Sequence, residues 1–216
     1  MRTISSVVFG ISLLAVSIWS VGLAGQNNMV QTHIGHVMDS FNGTPMNMGL
    51  LPTAVAEART AAQHAGFAAK GTTLMMIQTH AGHVIHAIDP TIVDKGPGLG
   101  YGLKKAAAGV AMHADLAGKA PEATAGVKMH AMHVNTAATN VVTMSDDVLA
   151  LAQKIRASTS MEEAQKLADE MATKAEQLTS GVDANKDGTI SWNKPEGGIA
   201  QAQQHMELMK KAASGS

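Results

Sequence analysis

The sequence predicts an all-α fold, repeated helical hairpins forming an antiparallel helix bundle, on three observations. Hydrophobic residues make up 45% of the 216 residues but aromatic residues only 3%, so Ala, Gly and 15 Met supply much of the bulk. A chain poor in aromatic and β-branched runs and rich in Ala favours helices that approach one another closely. The second observation is a repeated phrase. Gln31-Thr32-His33-Ile34-Gly35-His36-Val37 returns 47 residues later as Gln78-Thr79-His80-Ala81-Gly82-His83-Val84, and a short form returns as His130-Ala131-Met132-His133-Val134. Residues i and i+3 share one face of a helix, so each copy presents two imidazoles together. Thirdly, a shift of 49 residues aligns Ala58, Ala62, His64, Ala65, Ala68 and Lys70 with Ala107, Ala111, His113, Ala114, Ala117 and Lys119. The repeating unit is thus a hairpin with H-x-x-H-V on its first arm and one His on its second. Two such hairpins, stacked, make an antiparallel four-helix core.

Three regions follow in order: a leader over 1–25, a His-rich hairpin bundle over 26–158 and a C-terminal unit over 159–216. In the leader, Arg2 precedes an apolar run from Val7 to Leu23, and Gly22-Leu23-Ala24 supplies small residues for cleavage near Gly25 or Gln26. This reads as a secretory signal peptide and places the protein in the periplasm or outside the cell; an uncleaved membrane anchor is the competing reading. A first helix over 28–41 carries His33 and His36 and ends at Asn42-Gly43 and Pro45. Pro52 opens a second helix that runs to about Lys70 with His64 in its last third. Gly71 ends it, and Thr72 or Thr73 caps a third helix with His80, His83 and His86, which Asp89-Pro90 stops. The Gly-rich run 96–102 follows no strand, fails the context a dinucleotide loop needs, and reads as a connection into a fourth helix over 103–119 with His113. Pro121 opens a long fifth helix to about Arg156 with His130 and His133, and Ser160 with Glu163 signs the start of a sixth that ends near Ser180.

The C-terminal unit carries Asp183-Ala184-Asn185-Lys186-Asp187-Gly188-Thr189-Ile190-Ser191. This run resembles the calcium loop of the EF-hand family over its first nine positions. The resemblance implies Ca2+ ligation by the side chains of Asp183, Asn185 and Asp187 and by the backbone carbonyl of Thr189, with Gly188 at the sharp turn. It departs at the twelfth position, where the family has a bidentate Glu and this chain has Lys194; Glu196 is the candidate substitute. Pro195 suits the first turn of an exiting helix carrying Ile199, Ala202, Met206 and Met209.

The function expected is metal binding. Imidazole is the commonest side-chain ligand for transition metals and an axial ligand of haem iron. The candidate ligands are His33, His36, His64, His80, His83, His86, His113, His130 and His133, holding Cu, Zn, Ni or Fe ions. A compact site joins either His80 and His83 with His113, or His33 and His36 with His64. Haem b is the rival cofactor, with His33, His64, His80 and His113 as axial candidates. His205 reads as an ordinary hydrogen-bonded or exposed His, and most Met as core filler, although thioethers beside the His positions favour Cu(I) if they join. Metal or haem carriage, or electron transfer with a redox or envelope protein as partner, is the expected role. The alternative is a calcium-stabilised structural or interaction protein of the envelope without a redox centre.

Other classes are excluded. A formal net charge of −1 without an aromatic-interleaved basic stripe gives nucleic acid nothing to hold. The absence of Cys removes disulfides, thiolate zinc sites, iron–sulfur clusters and covalent C-x-x-C-H haem. Neither Glu-x-x-His, H-E-x-x-H nor G-x-S-x-G occurs, and carboxylates are scarce on the His-bearing helices, so no enzyme is expected.

Overall fold

The computed structural model describes residues 28–215, and these contain seven α-helices and one 3-10 turn. The expected leader lies outside the described residues. The helices are α1 (Met29–Met38), α2 (Leu50–Ala69), α3 (Leu74–Ile88), α4 (Leu103–Lys119), α5 (Ala125–Ala157), α6 (Met161–Ser180) and α7 (Ile199–Ala213). None of them is long and apolar enough to cross a membrane.

Local signals set most of the boundaries. Asn28, Thr73, Thr124 and Ser160 each accept a backbone N–H of the first turn through their side chains and start α1, α3, α5 and α6. Helix α2 begins at Leu50, before Pro52, which occupies the first turn where its missing N–H costs nothing. Pro121 falls in the turn ahead of α5, and Pro195 falls ahead of α7 rather than inside it.

The four-helix core is made by α2, α3, α4 and α5: α2 packs on α3 and α4, and α5 packs on the same two. This differs from the expected core of α1 to α4. The reason is in the connections: α2 reaches α3 through four residues and α4 reaches α5 through five, which forces antiparallel neighbours, whereas α1 to α2 and α3 to α4 are joined by long loops. The tight hairpins are therefore α2–α3 and α4–α5. Helix α6 lies against α2 and α5, α7 against α5, and the ten-residue α1 against α4.

Small residues permit this packing. Ala54, Ala58, Ala61, Ala65 and Ala68 line the buried face of α2, and Ala106, Ala107, Ala114 and Ala117 that of α4. A Cβ on Gly109 would stand 2.8 Å from Leu50 of α2, and one on Gly118 would stand 2.8 Å from Ala131 of α5. Helix axes come this close only where the side chain is a hydrogen atom.

Candidate metal centres

Nine of the ten His residues fall into three triads, each drawn from two antiparallel helices. The first is His33 and His36 of α1 with His113 of α4; the second is His80 and His83 of α3 with His64 of α2; the third is His130 and His133 of α5 with His205 of α7. In every case an i, i+3 pair on one helix faces a single His on the other.

The nitrogens converge in the same way each time. His113 Nδ1 lies 2.9 Å from His33 Nδ1 and 3.4 Å from His36 Nδ1. His64 Nδ1 lies 3.0 Å from His80 Nδ1 and 3.2 Å from His83 Nδ1. His205 Nδ1 lies 3.1 Å from His130 Nδ1 and 3.4 Å from His133 Nδ1. Metal–nitrogen bonds of ~2.0 Å place neighbouring donors about 3.3 Å apart in a tetrahedral site. A ring nitrogen carries one lone pair or one proton, so the central nitrogen of each triad makes one well-directed hydrogen bond, not two. A cation accepts all three lone pairs at once.

The electrostatics agree. His64, His113 and His205 are each pushed down to about 4, first by burial and then by the two imidazoles beside them. Burial, the leading cause, also lowers His33, His83, His130 and His133. These rings are kept neutral, the form in which imidazole binds metal.

Each triad has an aromatic wall. Phe41, from the loop after α1, meets His36 and His113 edge-on, with centroids 5.5 and 5.2 Å away. Phe67, one turn beyond His64 on α2, packs on His64 and His80. Trp192 stacks on His133 at 3.8 Å and stands edge-on to His205. Among the described residues, every Phe and Trp is placed at a triad.

The pairing is the reverse of the one expected. His113 serves the first pair and His64 the second, because α1 packs on α4 and α2 on α3. Glu122, in the turn after α4, accepts the backbone N–H of Val30 at 3.0 Å and holds the N-terminus of α1 at that end of α4. His205, read from sequence as an ordinary hydrogen-bonded or exposed His, completes the third triad. The signal that finds it is a remainder: the third pair lacks a partner, and His205 is the one unassigned His outside the repeats.

His86 belongs to no triad. Its ring is buried, and its Nδ1–H donates to the carbonyl of Val93 at 2.8 Å, tying the long α3–α4 connection to α3. The four haem candidates do not frame a porphyrin. His33 touches His113, and His64 touches His80, between helices in direct contact, so no slot for a flat macrocycle separates them.

The calcium-loop candidates lie between α6 and α7. Asp183 accepts the backbone N–H groups of Asp187 and Gly188, Asp187 accepts both donors of Thr189, and Asn185 Oδ1 accepts the backbone N–H of Asp187. Glu196 is buried and accepts the backbone N–H and hydroxyl of Ser191 through one oxygen. Comparison with family models, with curated proteins and with solved structures found no match.

Proposed function

We propose that this protein is a binding protein for transition-metal ions, with three mononuclear tri-histidine sites, working in carriage or storage outside the cytoplasm rather than in turnover. One observation carries the reading: nine of ten imidazoles converge, by the same ring atom, into three like triads. Half-buried to buried imidazoles at this density are costly without a cation, through desolvation and, on acidification, mutual repulsion. Among the described residues no carboxylate joins any of the three donor groups, so the sites offer imidazole ligands alone, and binding rather than turnover is proposed.

Elemental analysis of the chain after equilibration with a transition metal is the test. Three equivalents per chain are expected, falling to two in His80→Ala/His83→Ala and to two in His205→Ala, with His86→Ala unchanged at three. Full occupancy in His205→Ala would sink the third site.

Calcium binding at 183–196 is the second part of the proposal and rests on the resemblance to the EF-hand loop, with Asp183, Asn185, Asp187, Thr189 and Glu196 as ligands. Without a bidentate ligand at the usual place, the affinity expected is in the weak range of extracellular modules, ~10⁻⁴–10⁻³ M. Calorimetric titration with CaCl2 checks it: a binding heat absent from Asp183→Ala supports the loop, and no heat in the parent protein removes calcium from the reading. If calcium alone bound, the structural alternative would replace metal carriage.

A further inference from the structure

We infer that the three triads select a monovalent soft ion, Cu(I), which reaches them over exposed methionine thioethers; this rests on the metal-binding reading above and names its ion. The first ground is charge. Each donor set is three imidazole nitrogens, an uncharged type of ligand, with an aromatic ring packed against it. A divalent ion would bring two charges to a half-buried donor set that itself carries none, and a monovalent ion brings one.

The second ground lies behind the donors. Zinc-binding His commonly passes its other ring N–H to a carboxylate or a backbone carbonyl, which fixes the ring and strengthens it as a ligand. In these triads the hydrogen-bonding contacts of all nine rings are the Nδ1 contacts among themselves. The same protein does build the carbonyl arrangement once, at His86 with Val93, in the one His outside the triads.

The third ground is where the methionines are. An apolar side chain short of aromatic competition is expected in the core, yet Met29, Met76, Met112, Met129 and Met132 are 41 to 54% exposed. All five neighbour triad ligands in the sequence. Met29 and Met76 occupy the same place in the repeat, one turn before His33 and His80, and share an exposure of 41%. Met112, Met129 and Met132 immediately precede His113, His130 and His133. Thioether is a soft ligand that suits Cu(I) and offers little to Zn2+. Three nitrogens that converge from two helices suit a three-coordinate ion, and the flexible, exposed thioethers of Met29 and Met76, one turn away on the ligands' own helix face, can take the ion from solution and deliver it.

The experiment is anaerobic dialysis of the full chain against buffered Cu(I) and Zn2+ supplied together at equal free concentration, followed by elemental analysis. Three Cu and no Zn are expected, with a Kd for Cu(I) at least about tenfold below that for Zn2+. Three Zn, with Cu excluded, would overturn the choice of ion and leave the metal-binding reading standing. Neither metal bound would overturn both. Transfer of Cu(I) from its bicinchoninate complex is then timed in Met29→Leu/Met76→Leu, substitutions at exposed positions that leave the fold intact. About tenfold slower loading with the final stoichiometry and Zn2+ uptake unchanged supports the thioether route; loading at the parent rate overturns that route.

Discussion

His113 carries two imidazole nitrogens against one of its own, and the proton it refuses in the fold is one it accepts freely when unfolded. The same holds for His64 and His205. Each has a pKa near 6.5 in an unfolded chain and about 4 in the fold. A depressed folded value means that the unfolded state binds protons first on acidification. The stability these rings contribute is therefore fully present above pH 6.5 and is lost as the pH falls from 6.5 towards 4. Thermal unfolding of the metal-free protein, followed by circular dichroism, is expected to show a Tm that is level above that range and declines through it. His64→Ala/His113→Ala/His205→Ala should flatten the slope. Bound metal competes with protons for the same nitrogens and should carry the plateau to lower pH. A metal-free protein whose Tm did not change between pH 6.5 and 4 would mean that these rings are free to protonate in the fold. At this scale the sequence showed which residues matter but not their company. The pairs at i, i+3 were legible because one helix determines them; the third ligand was not, because it comes from another helix.

Loops are held in this protein by single buried polar side chains, and Glu57 shows how much one of them does. It is fully buried on α2 and accepts the backbone N–H groups of Leu99, Tyr101 and Gly102 at 3.2, 2.9 and 3.1 Å. The Gly-rich run thus folds around a carboxylate. Gly98 approaches with φ +113, where a Cβ would stand 2.5 Å from Glu57 Oε2, so neither the conformation nor the space admits another residue. Glu57→Ala is expected to cost about 3 kcal/mol, since it leaves donors in or near the core without an acceptor. Chemical denaturation measures it, and a loss within ~0.5 kcal/mol would show that water reaches the loop donors. Asn140 of α5 plays the matching part at the other end. It is buried, and its side-chain N–H groups donate to the carbonyls of Pro195 and Gly197 at 2.8 and 2.7 Å, fixing the segment that brings Trp192 onto His133. Asn140→Ala should weaken metal binding at the third triad alone, which elemental analysis at limiting metal would show as a loss confined to one of three equivalents. Neither anchor was visible in the sequence, because a lone Glu or Asn in a helical stretch carries no sign of the loop, tens of residues away, that it will meet. The starts of α3 and α6 were visible, because Thr73 and Ser160 act within their own turn; α5 starts from its cap Thr124, three residues after the Pro121 that the sequence offered.

Over the whole molecule, the exchange of partners between the two repeats decides what a metal does mechanically. The repeat is symmetric in its ligands, so pairing His33 and His36 with His64 or with His113 satisfies the pattern equally. Loop length and Glu122 break the tie, and both act through tertiary packing that periodicity does not encode. As a result, each ion would clamp a different helix pair: α1 to α4, α2 to α3, and α5 to α7. The α2–α3 pair is already closed by a four-residue turn and lies in the core. Helix α1 has ten residues, below the length at which a helix stands alone in water, and depends on its packing against α4. Metal should therefore stabilise α1 most. Ligand at about 100 times its Kd adds ~2.7 kcal/mol to the state that binds it. Amide hydrogen exchange tests this directly: removing metal with a chelator should speed exchange in α1 by up to about a hundredfold and change α2–α3 far less, because the linkage energy sets the opening equilibrium. His113→Ala should leave α1 in fast exchange even with metal present, while His64→Ala should not. If His64→Ala released α1 and His113→Ala did not, the first pair would take its third ligand from α2, and the packing of α1 on α4 would be wrong.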